Sequence, residues 1–460
     1  MKPFDAIPAD PPGRWLGNLL DVRRAGGLHE YLLDLHRRRG QTVRLALGSQ
    51  HAVSTICPEA LARLANSGFD ERPSLMRPFM GWLGDGNIAF KSGKDSRRTR
   101  AQLIPLLTGG VLERICELGT EYTDDVLESI PHGEPVDALG ALHAITLRTM
   151  GACCFGDDFA RGPGADIGAR FMRVLRENPL DVGSQIAPVW RPSYWSWCAQ
   201  VRALHARVRD LIASRTQRRG SADGDLLERL LSAKGEDGSP FFSEAEARMA
   251  VLAFYFGGVD ATAAAALWTM TVLALHPSLE QRAQAEVDEA LLGMRPSVAD
   301  FDRMPLLAAV VKESLRLYSP NPVNMRRLEA PRAIDGYDVP EGTVFFLAIA
   351  AIHQSESLWK DPQSFMPERF LDPGTPGGHR YAYIPFGIGA KSCIGARFAS
   401  AEVQLMVARI LQHHSVSCGP GASLASELRS GVLFPARNPQ LVFTRRLHVM
   451  ADDRICASGR

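Results

Sequence analysis

The chain has 460 residues, is 45% hydrophobic and 22% charged, and carries a formal net charge of +1. It is long enough to bury a large core, and its near-neutral balance argues against nucleic acid as a partner, which needs a marked basic excess. The eight cysteines (57, 116, 153, 154, 198, 393, 418 and 456) follow no paired-motif spacing, so neither a disulfide framework nor a zinc site is expected.

The opening stretch, MKPFDAIPADPPGRWLG, has no apolar signal core. No uncharged apolar run reaches the roughly 20 residues of a bilayer span. A cytoplasmic protein without a membrane anchor is expected. After the Pro/Gly-rich entry at residues 8–17, LHEYLLDLHRRRG has helical periodicity, and TVRLALGSQHAVSTI reads as two strands around a turn at Gly48. Helical periodicity then dominates from about residue 100 to 290, broken by the loop-like stretches ARGPGADIG, QRRGSADGD and KGEDGSP.

The longest helical pattern runs from Ser243 to Leu275. Ser243 with Glu246 signals its start and His276-Pro277 its end. Its middle, FYFGGVDATAAAAL, is apolar almost all round, which predicts a path through the interior. Short β patterns occupy 327–350, a Pro/Gly-rich meander follows, and Ile394, Phe398, Ala401, Leu405 and Ala408 mark one face of a last helix. The fold class read here is mainly α with a smaller β portion.

The segment Phe386-Gly-Ile-Gly-Ala-Lys-Ser-Cys393-Ile-Gly395 carries the most chemistry. Its glycines allow a tight turn, and the reading places Cys393 at the start of the last helix, where unpaired N–H groups favour a thiolate. Taken alone, a cysteine of this kind is more often a buried core residue.

This segment meets every position of the Phe-x-x-Gly-x-(Arg/Lys)-x-Cys-x-Gly signature, and the chain resembles the cytochrome P-450 family. Glu313-Ser-Leu-Arg316 resembles the family's Glu-x-x-Arg helix, and Pro367-Glu-Arg369-Phe its Pro-Glu-Arg-Phe element. Pro11-Pro12-Gly13 and the strands after it resemble the family's N-terminal region, so the likeness covers roughly residues 8 to 445.

The resemblance implies one cytochrome P-450 domain over 1–460, with a β-containing part at about 8–70 and a helical, haem-binding part at about 71–445. It implies a long central helix over heme b (iron protoporphyrin IX) and a C-terminal loop in which Cys393 ligates the iron. A thiolate ligand favours O–O cleavage. Pro385, Phe386, Gly387, Ile394 and Gly395 frame that loop. Arg100, Arg326 and Lys391 are the implied propionate partners. Arg327 is left as the alternative to Arg326, because the Arg-Arg pair is ambiguous by one residue. Glu313, Arg316 and Arg369 are expected to form a buried network that retains the haem.

Gly258, Asp260, Ala261 and Thr262 fall on the oxygen-binding kink of the central helix, with Asp260 the expected proton donor. Three departures stand out. Ala261 replaces the usual alcohol, and Thr262 points about 100° away around the helix. It could instead bond back to the Gly258 carbonyl. Ser96 replaces the tryptophan of a Trp-x-x-x-Arg helix, and Lys391 replaces the commoner arginine.

Family positions place Phe79, Met80, Trp82, Phe254, Gly257, Val323 and Leu433 around a medium-sized hydrophobic or aromatic small molecule. The resemblance implies a monooxygenase of secondary metabolism. It would take dioxygen and draw electrons from a separate ferredoxin or flavodoxin with its reductase, docked on Lys94, Arg97, Arg98 and Arg397. Two alternatives stay open at this point. One is a peroxide-using or oxidative coupling or rearrangement enzyme, suggested by Ala261; the other is a non-catalytic haem-binding module.

Overall fold

A computed structural model describes the chain except residues 14, 68–70, 74–80, 85, 108–109, 157–158, 160–163, 178–191, 217–223, 373, 375, 421, 430 and 447–460. Helices dominate, with small sheets set among them. Strands β1 (Thr42–Leu47) and β2 (Gln50–Thr55) form the expected hairpin, and its turn needs the positive φ of Gly48. Strands β3 (Asn324–Arg327) and β4 (Val344–Leu347) complete a four-stranded sheet in the order β1-β2-β4-β3. β4 runs parallel to β2 and antiparallel to β3. The long sequence separation between β2 and β4 is what a parallel pair requires.

Six helices position the site: α1 (Gly93–Leu106), α2 (Val111–Ser129), α3 (Ala138–Phe155), α4 (Glu244–Leu275), α5 (Pro305–Leu317) and α6 (Ala396–His413). The signals at the ends of α4 act as the pattern predicts. Ser243 and Glu246 form a reciprocal capping box, and His276 leaves helical geometry just before Pro277. From Thr262 to Ala274 every residue of α4 is buried. The small side chains Ala263–Ala266 let neighbouring helices close on it.

Helices α3 and α4 are long and apolar enough to span a membrane by composition, yet most of each is buried against protein. Three readings need correction. The helix Gly164–Arg176 begins inside the stretch taken as loop. The β pattern ending LAIA gives way to a short helix, Ile349–His353. The central helix is α-helical without interruption through the glycine pair, so its expected kink is not a break in the helix.

Candidate active site

The cysteine loop closes on itself through the Cys393 N–H, which donates to the Phe386 carbonyl at 2.8 Å. Gly389 takes φ +64°, and a Cβ there would stand 2.8 Å from the Ala65 carbonyl oxygen, so only glycine fits between the two backbones. Helix α6 starts at Ala396, which corrects the placement of Cys393: it lies in the loop ahead of the helix, not on its first turn. Ile394 packs half-buried beside Phe398, and Phe386 packs against the core under α6.

The Cys393 side chain is accessible but ringed by protein. That burial raises its thiol pKa above the ordinary value, while the Gly395 N–H and the Arg100 charge pull it down without winning. A coordinated cation would deprotonate the sulfur.

Two cationic side chains converge on this loop. Arg100 of α1 donates to the Ser392 carbonyl at 3.0 Å, and burial lowers its pKa. Arg326 of β3 is buried and reaches the Lys391 carbonyl at 3.5 Å. Arg327 points outward to Glu71 at 3.3 Å, so the one-residue ambiguity resolves with Arg326 on the loop side. This setting suits the two carboxylates of a haem.

The departures at 96 and 391 meet. The Lys391 ammonium donates to Ser96 Oγ at 3.1 Å, to the Ile88 carbonyl at 3.2 Å and to the Lys91 carbonyl. Small Ser96 leaves room for the lysine and accepts its proton, a pairing invisible in either position alone.

Glu313 and Arg316 of α5 are fully buried and joined by two 2.8 Å hydrogen bonds. Arg369 adds a third at 3.1 Å, and Arg316 also donates to the carbonyls of His353, Pro362 and Ser364. Sequence reasoning missed His353. Its Nε2 accepts the Ile384 N–H at 2.8 Å, and its Nδ1 lies 3.1 Å from the Arg316 carbonyl. The network thus reaches within two residues of Phe386. No motif marked that histidine, because its partners are backbone groups distant in sequence.

On α4, Phe254, Gly257 and Ala261 share one face, with Gly257 exposed and the other two half-buried, while Tyr255, Val259 and Asp260 between them are buried. A Cβ on Gly257 would meet nothing within 4 Å, whereas one on Gly258 would stand 2.7 Å from Met150 Sδ of α3. Gly258 therefore serves helix packing, not approach by a ligand. Asp260 turns away from the open face to His143 of α3, with Nε2 2.9 Å from Oδ1. The Thr262 hydroxyl is buried and finds no partner among the described residues. It does not bond back along the helix as Thr269 and Thr271 do, which corrects the expected contact to Gly258.

Among the pocket candidates, Phe79 and Met80 lie outside the described residues. Trp82 is buried, its ring near Phe171 and Phe256, and Leu433 is buried with its carbonyl accepting the Trp268 indole N–H. Val323 is half-buried beside the sheet core. Lys94, Arg97, Arg98 and Arg397 are all exposed. Arg397 borders a cleft of about 290 Å³ lined also by Ile104, Leu107, Ile394 and Phe398.

Comparison with known proteins agrees with this geometry. The cytochrome P450 family model matches residues 8–443. The chain is 28% identical to cyclooctat-9-en-7-ol 5-monooxygenase of Streptomyces melanosporofaciens, over 84% of each chain. It is 25% identical to cytochrome P450 3A13 of Mus musculus, covering 95% of this chain and 90% of that one. A solved structure, retinoic acid bound cyanobacterial CYP120A1, superposes with a TM-score of 0.84 at 21% identity, over 97% of this chain and all of that one. That likeness establishes the fold. A cysteine ahead of the last helix, a buried carboxylate–guanidinium network behind it and an open-faced central helix are what heme b bound through a thiolate requires, and the chain belongs to the cytochrome P450 family of heme-dependent monooxygenases.

Proposed function

We propose that the protein hydroxylates a medium-sized hydrophobic or aromatic small molecule in secondary metabolism. Cys393 is the iron ligand, and Arg100 and Arg326 bind the propionates. The observation that carries this reading is the convergence of α1, β3 and the 386–395 loop around one accessible thiol. When bound, heme b supplies the iron that activates dioxygen. The chain's own residues do the rest. Glu313, Arg316 and Arg369 hold the backbone that carries the loop. The accessible face of α4 orients the substrate with apolar contacts, and Asp260, one residue from that face, passes protons toward it.

Electrons come from a separate acidic ferredoxin or flavodoxin, for which the exposed Lys94, Arg97, Arg98 and Arg397 supply the complementary charge. Because Ala261 offers no hydroxyl, a substrate hydroxyl or amide, or an ordered water, donates the hydrogen bond missing there. The cytoplasm is the assigned compartment. The reduced, CO-treated protein should show the red-shifted Soret band of a sulfur-ligated haem, and Cys393→Ala should lose it; absence of that band in the native chain defeats the reading. A substrate panel scored by haem spin-state shift then identifies the ligand class. Ala261→Thr should couple oxygen use to product less well than the native chain on the native substrate, and equal or better coupling defeats this assignment.

A further inference from the structure

We propose that His143 is the positioning residue through which Asp260 is resupplied with protons, the two forming a relay from solvent to the open face of α4. The inference rests on the monooxygenase reading and deepens it. Hydroxylation of one C–H bond by dioxygen consumes two electrons and two protons and releases one water, so chemistry at the open face of α4 needs a supply of protons.

The relay is built from two adjacent helices. Asp260 is 7% exposed and projects from α4 beside Ala261, which lies on the accessible face with Gly257. His143 Nε2 meets its Oδ1 at 2.9 Å. The histidine side chain keeps 12% of its surface in solvent, and among the described residues its Nδ1 makes no hydrogen bond. The ring therefore has one nitrogen on the carboxylate and the other free to exchange with water. An imidazole in that position takes a proton at Nδ1 and releases one from Nε2 to Oδ1, returning to its starting charge. Rotation of the Asp260 side chain away from His143 then carries the proton toward the Ala261 side.

Packing alone does not call for this pair. Beside it α3 and α4 meet with Met150 against Gly258, and Phe434 of the strand Val432–Pro435 lies edge-on to the His143 ring at 6.2 Å. Placing an acid and a base in such a wall incurs a desolvation cost that apolar residues would avoid. No motif at position 143 announces the role, because the partner lies 117 residues away.

The test compares His143→Gln and His143→Ala in the haem-loaded protein, with electrons supplied by photoreduced deazaflavin so that no protein donor is needed. Gln keeps an N–H for the carboxylate but cannot pass a proton from one side to the other. Both variants should keep native haem content and the red-shifted CO band. Both should consume dioxygen about tenfold more slowly, below the 10²–10⁴-fold of a wholly lost acid–base group because Asp260 remains. Both should show a larger solvent deuterium isotope effect than the native chain. In ¹⁵N-labelled native protein the ring should show a hydrogen-bonded Nε2–H that Asp260→Ala abolishes.

Native rate and isotope effect in His143→Gln, with loss only in His143→Ala, would mean that the ring merely holds the carboxylate, and the relay falls. Haem loss in both variants, or no bonded Nε2–H, overturns it equally. A missing CO band in the native chain is a separate failure, that of the haem–thiolate reading itself.

Discussion

His353 and Ile384 are joined by a 2.8 Å hydrogen bond in which the ring Nε2 accepts the backbone N–H, so the proton of this neutral imidazole sits on Nδ1, facing the Arg316 carbonyl. Burial, aided by the Arg316 charge, pushes the His353 pKa down to about 3. The folded state therefore keeps the ring neutral where the unfolded chain, with an ordinary histidine value near 6.5, would protonate it. Its stabilising effect is full above about pH 6.5 and fades as the pH falls toward 3, by at most about 1.4 kcal/mol per unit. His353→Gln should lower stability by about 1–3 kcal/mol at neutral pH and flatten the loss between pH 6.5 and 4. Denaturant titrations at several pH values check both, with haem content as a second readout.

Glu402 of α6 behaves in the opposite sense. It is fully buried, its Oε1 has no partner among the described residues, and burial pushes its pKa up to about 8. The folded state binds a proton that the unfolded chain releases near 4.5, so stability is full below that value and is lost as the pH rises toward 8. Glu402→Gln should therefore raise the melting temperature at pH 7.5 and change it little at pH 4.5. Equal effects at both pH values would contradict the assignment.

Ser96 and Lys391 should be energetically coupled. Ser96→Ala removes an acceptor from a buried ammonium and should cost about 1–2 kcal/mol in the native background, but close to nothing once Lys391→Met is present. A double-mutant cycle on thermal stability measures this, and a coupling below about 0.3 kcal/mol would count against it.

Arg326 and Arg327 should separate cleanly despite their adjacency. Arg326→Ala removes a buried cation beside the loop and should reduce the haem retained per chain on purification. Arg327→Ala breaks an exposed pair with Glu71 and should change stability by about 0.5 kcal/mol or less, with haem content unchanged. The ratio of Soret to protein absorbance distinguishes them.

The amino-acid order alone determined whatever depends on local rules. The capping box at Ser243, the hairpin turn at Gly48, the tight loop before Cys393 and the three-residue step from Glu313 to Arg316 are all short-range physics. A run that is apolar on every side had to become a core helix, and α4 did. Tertiary structure decided whatever depends on direction and on partners far along the chain. Only packing shows Gly258 serving Met150, Asp260 turned to His143, Thr262 left without a partner, Lys391 spent on the segment before α1 and His353 tied to the cysteine loop. The reason is geometric: each side chain commits to one face of its element, and what meets that face is brought there by segments tens to hundreds of residues away, which no local pattern encodes.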